Sequence, residues 1–187
     1  MPPLEFDLNP VIRITTDAIG EPGKRVFYLQ AKSDTQLVTL IIEKQQVQSL
    51  AIGVEQFLQD LQSRYPEISQ ASPDYVESEM GLEKPIDPVF RVGQLGLGYD
   101  EESDLLILVA RELQSLETDE ETSEETGEET GEEAGSVARF WCTRSQIRAM
   151  CHWGLEVASR GRPICGNCGQ PIDKDGHFCP KSNGHKH

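Results

Sequence analysis

A chain of 187 residues, 37 % of them hydrophobic and with a formal charge of −15, is long enough for one sizeable core and a small appendage. No run approaches the roughly 18 apolar residues of a membrane span. The N-terminus has no basic stretch followed by an apolar one, so neither a membrane-spanning nor an exported protein is expected. The expected setting is cytoplasmic, where thiols stay reduced and clustered cysteines read as metal ligands rather than disulfides.

Strand patterns come first along the chain. Val11–Asp17 alternates like a half-buried strand, and the turn signal GEPG (Gly20–Gly23) leads into Arg25–Lys32, rich in strand formers. Ser33-Asp34 turns the chain into a third strand, Gln36–Glu43. Val47, Leu50, Ala51, Val54, Phe57, Leu58 and Leu61 then recur at helical spacing, which predicts a helix over Lys44–Arg64. Glu43, at the strand end, places an acid where the helix dipole favours one. A stretch with four prolines, Tyr65–Pro88, should connect two halves over the surface.

The second half repeats the order. Val89–Tyr99 reads as a glycine-interrupted strand, Asp100–Asp104 as a polar turn, Leu105–Leu113 as an apolar strand and Ser136–Cys142 as another. Gly93, Gly96 and Gly98 are spaced like a phosphate loop, but no helix follows, so a bulged strand is expected. Ile147, Met150, Cys151, Leu155 and Val157 mark a helix over Arg144–Arg160. The helices align at an offset of one hundred, Gln46-Val47 with Gln146-Ile147 and Ala51 with Cys151, and Arg13–Gly20 parallels Arg91–Gly98. Both halves therefore read as strand, strand, strand, helix, in the manner of an internal duplication. The expected class is α+β, an antiparallel sheet with helices on one face.

Charge is unevenly distributed. Glu117–Gly135 holds ten acids and no base, mostly as tandem tetrapeptides of the form Glu-Glu-Thr-Gly; without it the net charge is −5. Such a tract has too little apolar surface to offset its ordering entropy, so a disordered loop is expected. From Arg139 onward, eight Lys or Arg face three acids. The expected organisation is an α+β domain over 1–160, with halves 1–64 and 89–160, connector 65–88 and acidic loop 117–135, followed by a zinc-binding tail over 161–187.

That tail carries the only chemistry the residues point to. Cys165 and Cys168 form a Cys-x-x-Cys knuckle whose two sulfurs converge from one tight turn, and Gly169 relieves the backbone crowding. Cys179 follows after a ten-residue loop, but Ser182 stands where a fourth cysteine belongs in a zinc ribbon. His177 shares a face with Cys179 if that segment is extended, and His185 lies five residues beyond it. Either imidazole could complete a Cys3His set with no open position, a structural zinc site rather than a catalytic one. Cys142 and Cys151 lie on apolar-face positions and read as buried thiols. His152 reads as a surface or satisfied residue, and Trp141 and Trp153 as core or interface anchors. No nucleophile–base ordering or carboxylate pair suggests catalysis.

Five segments carry a family resemblance: GEPGKRVFYLQ (Gly20–Gln30), LIIEKQQ (Leu40–Gln46), FRVG (Phe90–Gly93), GRPIC (Gly161–Cys165) and GHFCPKSNG (Gly176–Gly184). With them the chain resembles, over almost its full length, a bacterial family of unknown function with a zinc-ribbon-like tail. In that family's ending a histidine holds the position of His177 and an aromatic that of His185, which implies His177 as the fourth ligand. The resemblance implies no activity. The leading expectation is a non-catalytic adaptor with a structural zinc ion and a protein partner, not a membrane. One alternative is a nucleic-acid binder that grips through Arg160, Arg162, Lys174 and Lys181 with the acidic loop as competitor; its binding would fall steeply with salt. The other is an enzyme whose residues are scattered.

Overall fold

In the computed structural model, which describes residues 3–114, 135–173 and 176–181, the alternating segments become strands and the two 3.6-period segments become helices. The elements are β1 (Glu5–Leu8), β2 (Arg13–Ile19), β3 (Val26–Lys32), β4 (Leu37–Ile42), α1 (Lys44–Arg64), β5 (Pro88–Asp100), β6 (Leu105–Glu112), β7 (Val137–Thr143) and α2 (Arg144–Ser159), with a 3-10 turn at Glu77–Glu79. The tetrapeptide tract lies outside the described residues, apart from Gly135.

The strands form one seven-stranded sheet in the order β1-β7-β6-β5-β4-β3-β2. The class is α+β. Within each half the pairing is antiparallel, as the hairpin signals require, but the sheet as a whole is mixed. β4 pairs with β5 and β1 with β7 in parallel. The first parallel pair has a simple cause: α1 carries the chain back along the sheet, so β5 starts at the end where β4 started. The second joins the two ends of the fold, Glu5 opposite Val137 and Leu8 opposite Phe140.

The repeat seen in the sequence has a counterpart in space. Gln46, in the first turn of α1, accepts from the Glu43 N–H at 2.8 Å and donates to the carbonyls of Val92 and Gly93 at 3.1 and 3.3 Å. Gln146, in the first turn of α2, accepts from the Thr143 N–H at 2.8 Å and donates to Val11 and Ile12 at 3.3 and 3.4 Å. Each glutamine thus caps its own helix; Gln46 also holds β5, and Gln146 the link between β1 and β2. β5 is one strand that changes partner from β4 to β6 across an irregularity between Val92 and Gln94. Its counterpart is divided into β1, which pairs with β7, and β2, which pairs with β3.

Leu29, Leu40, Leu106, Leu108 and Phe140 from the sheet, with Val47, Val54, Ile147 and Met150 from the helices, fill the core. Cys142 and Cys151 are buried there, and desolvation pushes the Cys151 thiol up to about 12 and Cys142 higher still, so both are inert. Leu155 departs from the expected apolar face: it is exposed, while Trp153, Gly154 and Ala158 face inward. Gly154 sits so close to β2 and α1 that a Cβ there would lie 2.6 Å from Thr16 Cγ2 and 2.8 Å from Val47 Cγ1. Trp153 is buried with Tyr75 edge-on at 5.6 Å, whereas Trp141 is only half-buried and donates its indole N–H to Asp7, fastening β7 to β1.

The connector does more than cross the surface. Its Ala71 and Met80 side chains are buried. Arg144 binds the Ser69 carbonyl, Arg148 binds that of Ala71, and buried Gln30 both donates to and accepts from the Glu83 backbone. The same two arginines make bidentate ion pairs: Arg144 with Asp104 at 2.8 and 2.9 Å, and Arg148 with Glu55 at 2.7 and 2.9 Å. Arg144 holds the Asp104 carboxyl below its ordinary 3.8, and Arg148, with His152 assisting, holds Glu55 below 4.5. A depressed carboxyl pKa stabilises the fold above the ordinary carboxylate range and ceases to do so as protonation sets in. We expect the melting temperature to be flat near neutral pH and to fall from about pH 5 to pH 3. An Asp104→Asn/Glu55→Gln variant should melt lower at pH 7 and show a shallower acid slope; parallel slopes would remove these pairs as the cause. Both pairs are partly exposed, so solvent screening keeps the effect modest.

Candidate metal centre

The tail leaves α2 at Arg160 and runs back past the β2–β3 turn, where the Arg162 side chain lies against Gly23. Its local structure is a short turn system: a bridge between Ile164 and Pro171, the Cys165 N–H to the Gln170 carbonyl at 2.8 Å, and the Gly169 N–H back to the Cys165 carbonyl at 2.8 Å. Gly169 (φ 74°) and Gly176 (φ 80°) hold left-handed backbone. The first closes the Cys-x-x-Cys knuckle and the second turns the chain into His177, conformations that strain any residue with a Cβ.

These turns bring four donors to one point. The ligand atoms of Cys165, Cys168, His177 and Cys179 all lie within 4.8 Å of one another. Cys165 Sγ is 3.9 Å from Cys179 Sγ, too long for a disulfide, and Cys168 Sγ is 3.2 Å from His177 Nε2. Metal–sulfur bonds of about 2.3 Å at tetrahedral angles separate neighbouring donors by roughly 3.8 Å, so the cluster matches in scale as well as number. Cys165 and Cys179 are buried and His177 is 9 % exposed, while Phe178 between them is 67 % exposed. That alternation is the extended segment the sequence suggested. The cluster could hold a metal ion.

The electrostatics suit a cation. The backbone N–H groups of Cys168 and Asn167 point at the Cys165 sulfur and bring its thiol down to about 6, which favours the thiolate. Desolvation pushes the Cys179 thiol upward, with its sulfur neighbours adding to the shift. A cation bound at their centre would draw the neighbouring sulfurs into the thiolate form as well. His177 Nδ1 is buried and has no hydrogen-bond partner among the described residues, which leaves Nε2 as the nitrogen facing the sulfurs. His185, the alternative ligand, lies outside the described residues, as does Lys174.

Two other residues singled out in the sequence are engaged elsewhere. Arg160 pairs with Glu77 and Glu156 and stacks over Trp153 with its guanidinium 4.9 Å from the ring, and Arg162 pairs with Asp173 at 2.7 Å. Lys181 is exposed. His152 faces Glu55 at 3.2 Å. No helix of the described residues is long and apolar enough to cross a membrane.

Fold and site together define an α+β protein of mixed sheet that carries a three-cysteine, one-histidine cluster on a C-terminal appendage. The family model described as "Protein of unknown function (DUF3090)" matches residues 6–179, a span that includes all four cluster residues, and the chain belongs to that family. Searches of curated proteins and of solved structures gave no match.

Proposed function

We propose that Cys165, Cys168, His177 and Cys179 hold a structural zinc ion and that the protein is a non-catalytic binding module for another protein. The observation that carries the metal reading is the convergence of three sulfurs and one imidazole nitrogen within 4.8 Å. Thiolate-rich tetrahedral sets select zinc over the harder divalent ions. Four protein donors leave no position for water or substrate, so the ion organises rather than reacts. The binding role is supported by the outer surface of the tail, where Ile164 (61 %) and Phe178 (67 %) are exposed large apolar side chains. Metal-ordered turns that display apolar groups are a means of presenting them rigidly to a partner. Against a nucleic-acid role, two of the basic residues it needs are occupied by acids of the same chain.

Elemental analysis under reducing conditions tests the metal. About one equivalent of zinc per chain is expected for the wild type, and His177→Ala should lose most of it while His185→Ala keeps it. Less than half an equivalent in the wild type overturns the site. For the role, a partner captured by the intact chain should be released by Phe178→Ser. Recovery of nucleic acid with a steep salt dependence would favour the other reading.

A further inference from the structure

The segments Gly20–Gln30, Leu40–Gln46, Phe90–Gly93 and Gly161–Cys165 meet around one cleft of about 300 Å³, between the β3–β4–α1 corner of the body and the start of the tail. Its lining includes Arg25, Lys44, Arg91 and Arg162 against a single acid, Glu43. In a chain of formal charge −15 this concentration of positive charge is local and against the trend. Two of the four cations are compensated: Arg91 by Glu43, and Arg162 by Asp173. The other two have no acid partner among the described residues. Arg25 spends one nitrogen on the Val157 carbonyl at 3.0 Å and lies over the Phe27 ring at 5.2 Å, and Lys44 has no ion pair among the described residues. Yet both reach the same place. The point where a Cβ on Gly161 would sit is 3.5 Å from Lys44 Nζ and 3.6 Å from Arg25 Nη2. Two like charges that converge with no acid paired to either among the described residues repel, and an anion placed there removes the repulsion.

We propose that this cleft binds the phosphate group of a small organic phosphate, with Lys44 and Arg25 as its charged donors. An ammonium and a guanidinium with a free edge are the donors that phosphate oxygens select. The organic part follows from the walls. Val26 on the body (39 % exposed) and Ile164 on the tail (61 % exposed) both line the cleft and would cover an apolar or ring portion. The volume admits a small molecule rather than a polymer. The charged donors of this site lie outside the metal centre. The tail wall, Ile164 and Pro171, belongs to the cysteine knuckle, so the site needs the tail folded though not any one ion.

Titration of the full, metal-loaded chain with phenyl phosphate, and separately with inorganic phosphate, at constant ionic strength tests the proposal by calorimetry and amide chemical shifts. Saturable binding of phenyl phosphate is expected, with shifts centred on residues 23–27, 43–46 and 161–164 and an affinity several-fold above that of inorganic phosphate. Lys44→Gln, which disturbs no internal pairing, should weaken binding about tenfold, and Arg25→Gln comparably. Lys181→Gln, away from the cleft, should leave it unchanged. Absence of saturation, or equal losses in Lys44→Gln and Lys181→Gln, overturns the site. Equal affinity for the two probes overturns the organic part of the ligand in favour of free phosphate.

Discussion

Chelating the metal, or replacing Cys179 with serine, is expected to unfold the tail while the α+β body stays folded. Cys179 is completely buried and Cys165 nearly so, but the larger apolar side chains beside them, Ile164 and Phe178, face solvent. The described residues of the tail therefore form no apolar core of their own. Its backbone contacts are one isolated bridge and a few turn bonds. Metal binding in such small sites contributes on the order of 10 kcal/mol, far more than these turns supply. The measurement is residue-resolved. On adding chelator, amide resonances of residues 163–181 should collapse toward random-coil positions while those of β2–β7 and both helices hold. Cobalt should restore them and bring the visible absorption of a tetrahedral thiolate site, which Cys179→Ser should lack. A tail spectrum indifferent to chelator would contradict the reading.

Gly154→Ala is expected to destabilise the body even though alanine is the better helix former. The intrinsic gain is about 1 kcal/mol. Against it stands a methyl forced to 2.6 Å from Thr16 Cγ2 and 2.8 Å from Val47 Cγ1, both on β-branched side chains with little rotamer freedom. Overpacking of this kind costs about 1–3 kcal/mol and more when neighbours are stiff, so a net loss of about 1–2 kcal/mol is expected. In a chain of this size that lowers the melting temperature by about 2–8 °C. Thr16→Ser keeps the hydroxyl bond to the Tyr28 carbonyl, 2.8 Å in the wild type, and removes the offending methyl. It should recover part of the loss when combined with Gly154→Ala, a coupling a double-mutant cycle would read directly. A stabilised Gly154→Ala would show that α2 and β2 can part at no cost.

The two helices were legible because their apolar spacing is sustained over four or more turns, and α1 occupies the whole span Lys44–Arg64 that its pattern indicated. Six strands were legible from alternation and turn residues. β1 was not, since Glu5-Phe-Asp-Leu is short, carries two acids and buries only Leu8. With β1 unseen, the parallel closure on β7 was unseen too, because a partner 132 residues away leaves no local trace. Leu155 misled for a related reason: the face of α2 is set by what lies opposite, and a glycine rather than a leucine fits against Thr16. Spacing grouped the three cysteines but left His177 and His185 both open, since either is within reach of Cys179 along the chain; Gly169 and Gly176 are the signals that turn the chain. The cationic cleft was not, since Arg25, Lys44 and Arg162 belong to three segments that only the fold assembles.

The division of one strand position between β1 and β2 sets an order on assembly. During synthesis β2, β3, β4 and α1 can form as soon as they emerge, because their contacts are local. β1 emerges before them yet lacks its partner until β7 follows, and β2 lacks its covering helix until α2 is complete. β1 therefore stays without its β7 partner until nearly the whole body is made, and α2 fastens β2. Removing residues 1–8 would leave the local meanders intact and deny β7 its parallel neighbour.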